Sequence, residues 1–192
     1  APDIYNITGL SADHSGIEIE ADVRPMNLLS LDASLSFGNW TWGENVDAVF
    51  SSDYDRTNTA EVKLYTDGLK VGFQPQTQMF FGLNVFPMDG LTVNTSMRYN
   101  DNFYAGFSPS ERDTEGQGDV YKLPSFSLVD IHLSFKLKLM GTACVLGAHV
   151  LNALDTEYIT YGEDQGFEED GSNSLPKVFY GSGRQIRMSL KV

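Results

Sequence analysis

Cysteine is nearly missing from this chain: Cys144 is the single one in 192 residues. A lone thiol closes no internal disulfide, so no staple framework holds the fold. Long apolar runs are missing too, and none reaches the roughly 18 residues that a membrane-crossing helix needs. Basic residues are scarce, 13 Lys and Arg against 26 Asp and Glu, giving a net charge of −13 and a pI near 4.4. That balance argues against nucleic acid as a partner, because neutralising phosphates takes a basic surface. It argues equally against a polybasic anchor on anionic lipid. The three histidines, His14, His132 and His149, have no metal-ligand spacing. Gly181 and Gly183 lack the rest of a dinucleotide fingerprint and its strand–helix context. The opening Ala1-Pro2-Asp3 has neither the basic nor the apolar region of a secretory leader, so if the protein lives outside the cytoplasm the chain is expected to be a mature form or a piece of a longer one.

What the chain does have is alternation. From Val129 to Leu139, the odd positions (Val129, Ile131, Leu133, Phe135, Leu137, Leu139) are apolar. The even ones (Asp130, His132, Ser134, Lys136, Lys138) are polar. Side chains alternate faces along a strand, so this segment has one greasy face and one wet face. It is longer than the usual strand of roughly 5–6 residues and matches the about 9–11 that a transmembrane β-strand takes. A mean hydropathy of −0.23 is compatible with this, since half of each barrel strand is polar.

The same pattern recurs along the chain. Ile17, Ile19, Ala21 and Val23 oppose Glu18, Glu20, Asp22 and Arg24, and a turn at Arg24-Pro25-Met26-Asn27 leads to Leu29, Leu31, Ala33, Leu35 and Phe37. The phase is expected to slip near Gly38, where Trp40 and Trp42 appear. Residues 43–72 read as a long acidic loop with Glu44, Asp47, Asp53 and Asp55. A strand-like piece around Glu61–Tyr65 is expected to fold back at Asp67-Gly68 as a small hairpin. Strands follow at about Thr77–Phe86 and Leu91–Asn100 around a turn at Pro87-Met88-Asp89-Gly90. Residues 101–124 form a second long loop, and Met140-Gly141-Thr142 turns the central strand into a return strand from Ala143 to Leu154. Residues 162–177 are a third acidic loop, with Glu163, Asp164, Glu168, Glu169 and Asp170, before a last strand at Gln185–Val192. Residues 1–14 carry little pattern. Connections alternate short and long, and a meander puts every second connection at one end. All short turns then fall at one end and all long loops at the other, the asymmetry of outer-membrane barrels.

Three segments resemble a known family. Gly16-Ile17-Glu18-Ile19-Glu20-Ala21 leading into Arg24-Pro25, then Leu29-Ser30-Leu31-Asp32-Ala33-Ser34, resembles a late hairpin of TonB-dependent outer-membrane receptors. Val150-Leu151-Asn152-Ala153-Leu154-Asp155-Thr156-Glu157-Tyr158 is similar to their penultimate-strand motif, with Ala153 where an aromatic or leucine is common. Tyr180-Gly181-Ser182-Gly183-Arg184 is similar to their closing segment. The resemblance spans roughly residues 10–192 in order and spacing. It implies an all-β antiparallel up-and-down meander, about seven long transmembrane strands forming an arc of a barrel of about 22. Residues 1–192 would be the C-terminal segment, with the N-terminal plug domain absent and Val192 standing just short of the family's terminal aromatic residue. The implied role is a share in TonB-energised import of a scarce ligand (iron–siderophore, cobalamin, glycan or peptide) across the outer membrane. The implied partners are the TonB complex through the plug, outer-membrane lipid, the barrel assembly machinery and a small-molecule ligand.

Candidate ligand-binding residues are the loop-base aromatics Trp40, Trp42, Phe103, Tyr104 and Tyr161; the bland alternative is a girdle at the membrane interface. The acidic loops offer carboxylates to Ca²⁺, but no EF-hand spacing is present and a solvated acidic surface accounts for them. Asp130, His132 and Ser134 share a face, which raises a small outer-membrane barrel enzyme as an alternative. Residues two apart on a strand are about 7 Å apart, beyond triad reach unless long side chains bend together, and a polar lumen face explains them without chemistry. A soluble β-barrel binder is the remaining alternative. No catalytic, cofactor-binding or metal-binding residue is assigned.

Overall fold

The computed structural model describes residues 4–51, 59–168 and 171–192. In chain order the strands are β1 (Ile4–Ile7), β2 (Ala12–Met26), β3 (Leu29–Trp42), β4 (Val46–Ser51), β5 (Thr59–Leu64), β6 (Thr77–Met88) and β7 (Leu91–Asp101). They continue with β8 (Phe103–Tyr104), β9 (Lys122–Leu123), β10 (Phe126–Leu139), β11 (Thr142–Leu151), β12 (Ile159–Glu163), β13 (Lys177–Tyr180) and β14 (Gln185–Lys191). Seven of them make one antiparallel sheet in the order β2-β3-β6-β7-β10-β11-β14. Each neighbour in that sheet is the next long strand in the chain, so the sheet is an up-and-down meander. Its edges, β2 and β14, have no second neighbour among the described residues.

The register carries each face across the whole sheet. Val23, Leu31, Leu83, Thr95, Ile131, Val150 and Ile186 stand opposite one another in turn along one row. Ser30, Asn84, Asn94, His132, His149 and Arg187 form a neighbouring row on the other face. Among the described residues nothing packs on the apolar face. Ile17, Leu31, Phe81, Met97, Ile131, Leu146 and Met188, one from each strand, are 38–84% exposed. Leaving seven such side chains uncovered forgoes roughly 5–15 kcal/mol of transfer free energy, on the scale of a whole domain's stability.

Three two-residue turns lie together at one end. Met140 (φ 50°) and Gly141 (φ 84°) are both left-handed, the type I′ geometry that follows the strand twist. The strand ends that lead into the other two turns share a pattern, Val23-Arg24-Pro25-Met26 and Val85-Phe86-Pro87-Met88, and in both the ladder slips across the proline. Proline has no N–H to give the ladder, so a bulge takes it up. The Arg24 guanidinium lies 5.2 Å from the Phe86 ring centre, joining the two turns.

Several details depart from the sequence reading. No phase slip occurs at Gly38: β2 and β3 pair without a break from Ala12↔Trp42 to Val23↔Leu31, which puts Trp40 and Trp42 on the side of Asp32. The chain does turn at Asp67-Gly68, where Leu69 N–H donates to Thr66 O at 3.2 Å, but the piece around Glu61–Tyr65 makes no hairpin across that turn. It is β5, and it pairs with β4, which pairs in turn with β1. Residues 1–14, read as featureless, supply β1 and the start of β2. Pro87 belongs to β6, and the return strand stops at Leu151, three residues short of Leu154. Asp53, Asp55, Glu169 and Asp170 lie outside the described residues.

Candidate functional site

The long connections are folded, and most of the fully hidden side chains lie in them. Leu64, Leu69, Phe103, Ala105, Val120 and Leu123 are all at most 7% exposed. Val46, Ala48 and Leu64 form a core under Tyr5, Ile7, Leu10 and Val62. Backbone hydrogen bonds tie the first connection to the second: Tyr65 N–H donates to Arg112 O, Phe73 N–H to Tyr104 O and Gln76 N–H to Asn102 O, at 2.8–3.2 Å. The second is tied to the third by Gly106 N–H to Gly162 O and Asp164 N–H to Gly106 O, each 2.9 Å. The three connections therefore form one cap at a single end of the sheet.

A buried ion pair locks that cap. Arg112 Nη2 lies 2.7 Å from Asp164 Oδ2 with both side chains fully buried. Arg112 Nη1 donates to Gly118 O at 2.7 Å, and the guanidinium sits 5.2 Å from the Phe167 ring centre. Its Nε finds no acceptor among the described residues. Burial pushes the Asp164 carboxyl above its ordinary value, with Arg112 pulling the other way. Asp119 is spent within the cap as well, since Oδ1 accepts from Lys70 N–H and Val120 N–H.

The five aromatic candidates occupy different surroundings. Trp40 stacks on His14 with ring centres 5.3 Å apart, and its backbone is clamped by Gln76, which both accepts from Trp40 N–H and donates to Trp40 O. Trp42 meets Phe107 edge-on at 5.7 Å. Phe103 is 2% exposed and pairs with Leu123, so it has no free ring face. Tyr104 is half-buried, which pushes its hydroxyl pKa up. Tyr161 stacks on Phe73 at 5.3 Å and 16° and meets Phe179 edge-on at 5.7 Å. Among the described residues no two of the five are in ring contact with each other. The structure adds Phe73 and Phe179, which spacing did not single out. Phe73 is left-handed (φ 72°), and its ring lies over Gly106, where a Cβ would stand 2.0 Å from Phe73 Cζ. Only a glycine there leaves room for that ring.

Asp130, His132 and Ser134 do not assemble into a triad. Asp130 Oδ2 accepts from Arg98 Nη2 and Oδ1 accepts from Asn152 N–H, both at 2.8 Å. His132 Nδ1 faces His149 Nδ1 across the strand pair at 2.9 Å. Beside them runs a ladder: Asn94 Nδ2 donates to Asn84 Oδ1, and Asn84 Nδ2 to Asp32 Oδ2, each 2.9 Å. Among the described residues no three His, Cys, Asp or Glu gather as a metal cluster. No protein-family model matches the chain, and no curated protein matches it.

Proposed function

We propose that this chain is an arc of a TonB-dependent receptor barrel in the outer membrane, contributing wall, lumen surface and three outer loops to energised import of a scarce ligand. The observation that carries this reading is the uncovered apolar face, with at least one exposed large apolar side chain in each of the seven strands. Water makes that face costly, and lipid makes it favourable. Two further features support it. The sheet edges at β2 and β14 need neighbouring strands, because lipid satisfies no backbone donor or acceptor. The folded connections lie at one end and the two-residue turns at the other, as extracellular loops and periplasmic turns do. Ligand recognition falls to the cap, where Tyr161, Phe73 and Phe179 present exposed rings.

Two measurements test the reading. The protein fractionates with outer membranes and needs detergent for release; recovery as a monodisperse species in plain buffer overturns the membrane assignment. A strain lacking it grows poorly on one limiting iron source, cobalamin, glycan or peptide, and a strain lacking TonB shows the same defect. Growth that does not depend on TonB overturns the import role while leaving the barrel intact.

A further inference from the structure

We propose that the polar face of β10, β11 and β14 carries a binding site for a phosphate monoester, seated over Gly147 and held by Ser189, His149, Arg187, Lys136 and Lys191. The proposal goes beyond the import reading and does not rest on it, since it concerns side chains of three paired strands.

Register sets a row of small residues between two basic rows. Ser134, Gly147 and Ser189 stand opposite one another in turn. Towards the cap the next row is His132, His149 and Arg187, and towards the turns it is Lys136, Val145 and Lys191. Rows on one face are about 7 Å apart, so an anion over Gly147 is within reach of both. Two polar atoms converge on that seat: a Cβ at Gly147 would stand 3.0 Å from His149 Nε2 and against Ser189 Oγ. Neither atom makes a hydrogen bond among the described residues. Lys136 and Lys191 are two strands apart, about 9–10 Å between backbones, and their flexible stems let both ammonium groups close on one anion. Beside the seat a hollow of about 450 Å³, floored by Ala143 and Val145, has room for the organic part of an ester.

The charges around the seat are of one sign. The chain has 26 acids against 13 bases, yet β10, β11 and β14 together hold a single acid, Asp130. Asp130 lies one row beyond His132 and is held by Arg98 and Asn152. Lys136 and Lys191 form no ion pair among the described residues. Arg187 gives one nitrogen to Gln185, which leaves the rest of its fork. The polar-face acids gather on β2 and β3 instead, as Glu18, Glu20, Asp22 and Asp32, at the far side of the sheet. The net charge of −13 repels anions at a distance, so the attraction is local and weakens with salt.

Donors reach the seat from the cap side, from the turn side and from the sheet itself. That spread suits the tetrahedral oxygens of a phosphate better than a flat carboxylate, with the lysines acting as point charges and Arg187 as a fork. The histidine pair supplies one donor. Its two Nδ1 atoms share a hydrogen bond of 2.9 Å. When His132 gives the proton to that bond, neutral His149 carries its own on Nε2, the atom that stands over Gly147.

The test titrates the full-length protein, in nonionic detergent micelles at low ionic strength, with inorganic phosphate by isothermal titration calorimetry. One saturable site per chain is expected. Lys136→Gln and Lys191→Gln each weaken it by about tenfold, the worth of one hydrogen bond to a charged group, with the far-UV circular dichroism unchanged. Lys177→Gln removes the same charge from the cap and leaves the affinity as it was. In the ¹⁵N spectrum of the imidazoles, phosphate moves the His149 Nε2 resonance and leaves those of His14 in place. Absence of saturable binding overturns the proposal. So does equal weakening by Lys177→Gln and Lys191→Gln, the mark of a diffuse field. Two competitors then identify the source of the phosphate. Displacement by glycerol 3-phosphate assigns the site to a soluble ester, and displacement only by phosphatidic acid added to the micelles assigns it to a lipid headgroup. Displacement by neither overturns the ester assignment. Fractionation and TonB-dependent growth are measured separately, so failure here is distinct from failure of the import reading.

Discussion

Among the described residues Arg112 is the largest side chain hidden completely, and its burial is tolerable only because Asp164 meets it. Breaking such a pair from one side costs about 3–5 kcal/mol, because the remaining charge stays buried. Arg112→Leu is therefore expected to open the cap, seen as faster hydrogen exchange at the Tyr65 and Asp164 amides while amides of β10 keep their protection. The pH dependence follows from the raised Asp164 pKa. The folded cap holds that proton more tightly than the open chain does. The group's stabilising contribution is full below its ordinary value of 3.8 and is lost as pH rises through the folded-state value. Burial is the cause of the rise, so in Arg112→Leu, whose cap opens, the Asp164 carboxyl titrates closer to its ordinary value; a ¹³C titration of that carboxyl checks this, and an unchanged midpoint contradicts it. The sequence reading counted Asp164 as one more solvated acid. Its partner lies 52 residues away, and no local pattern announces a contact over that distance. Gly106→Ala belongs at this scale too: the added Cβ displaces the Phe73 ring and removes its stacking on Tyr161, read as a loss of ring-current shift on Tyr161.

At the scale of elements, alternation was the dependable signal, and it failed where chemistry on one face changed character without a change of phase. Trp40 and Trp42 looked like a slip because aromatics followed Asp32, Ser34 and Ser36 on positions expected to be polar. Their ladder is in fact unbroken, and the tryptophans simply share the wet face near the cap. Short strands inside the loops were the least legible. β4 and β5 gain their stability from pairing and a small core with β1, which no window of a few residues reveals. Turns with left-handed residues were legible from composition, as at Met140-Gly141. Methionine is a poor occupant of φ 50°, where asparagine is at ease. Met140→Asn is expected to stabilise the β10–β11 hairpin by about 0.5–1 kcal/mol, and Gly141→Ala to destabilise it by about 1–2 kcal/mol. Urea midpoints of the two variants against the parent protein measure both, and a shift of the same sign for each contradicts the turn assignment.

At the scale of the whole molecule, the two faces of the sheet make opposite demands on their surroundings, and a single kind of substitution separates the possibilities. Ile131 lies on the apolar face, near the middle of β10, and Ser96 lies on the polar face of the neighbouring β7. If lipid covers the apolar face, Ile131→Lys costs about 2–4 kcal/mol, the penalty for a lysine near the bilayer midplane. Ser96→Lys, facing the wet side, changes stability by no more than about 0.5 kcal/mol. The measurement is the urea midpoint of the protein refolded into lipid vesicles, with both variants compared with the parent. If water covers both faces, the order is lost: a lysine at the 38% exposed Ile131 becomes harmless or improves solubility. A third outcome is equally informative. Should both lysines prove costly, each face is covered by protein, and the sheet is an inner layer of a larger fold instead of a wall between lipid and lumen.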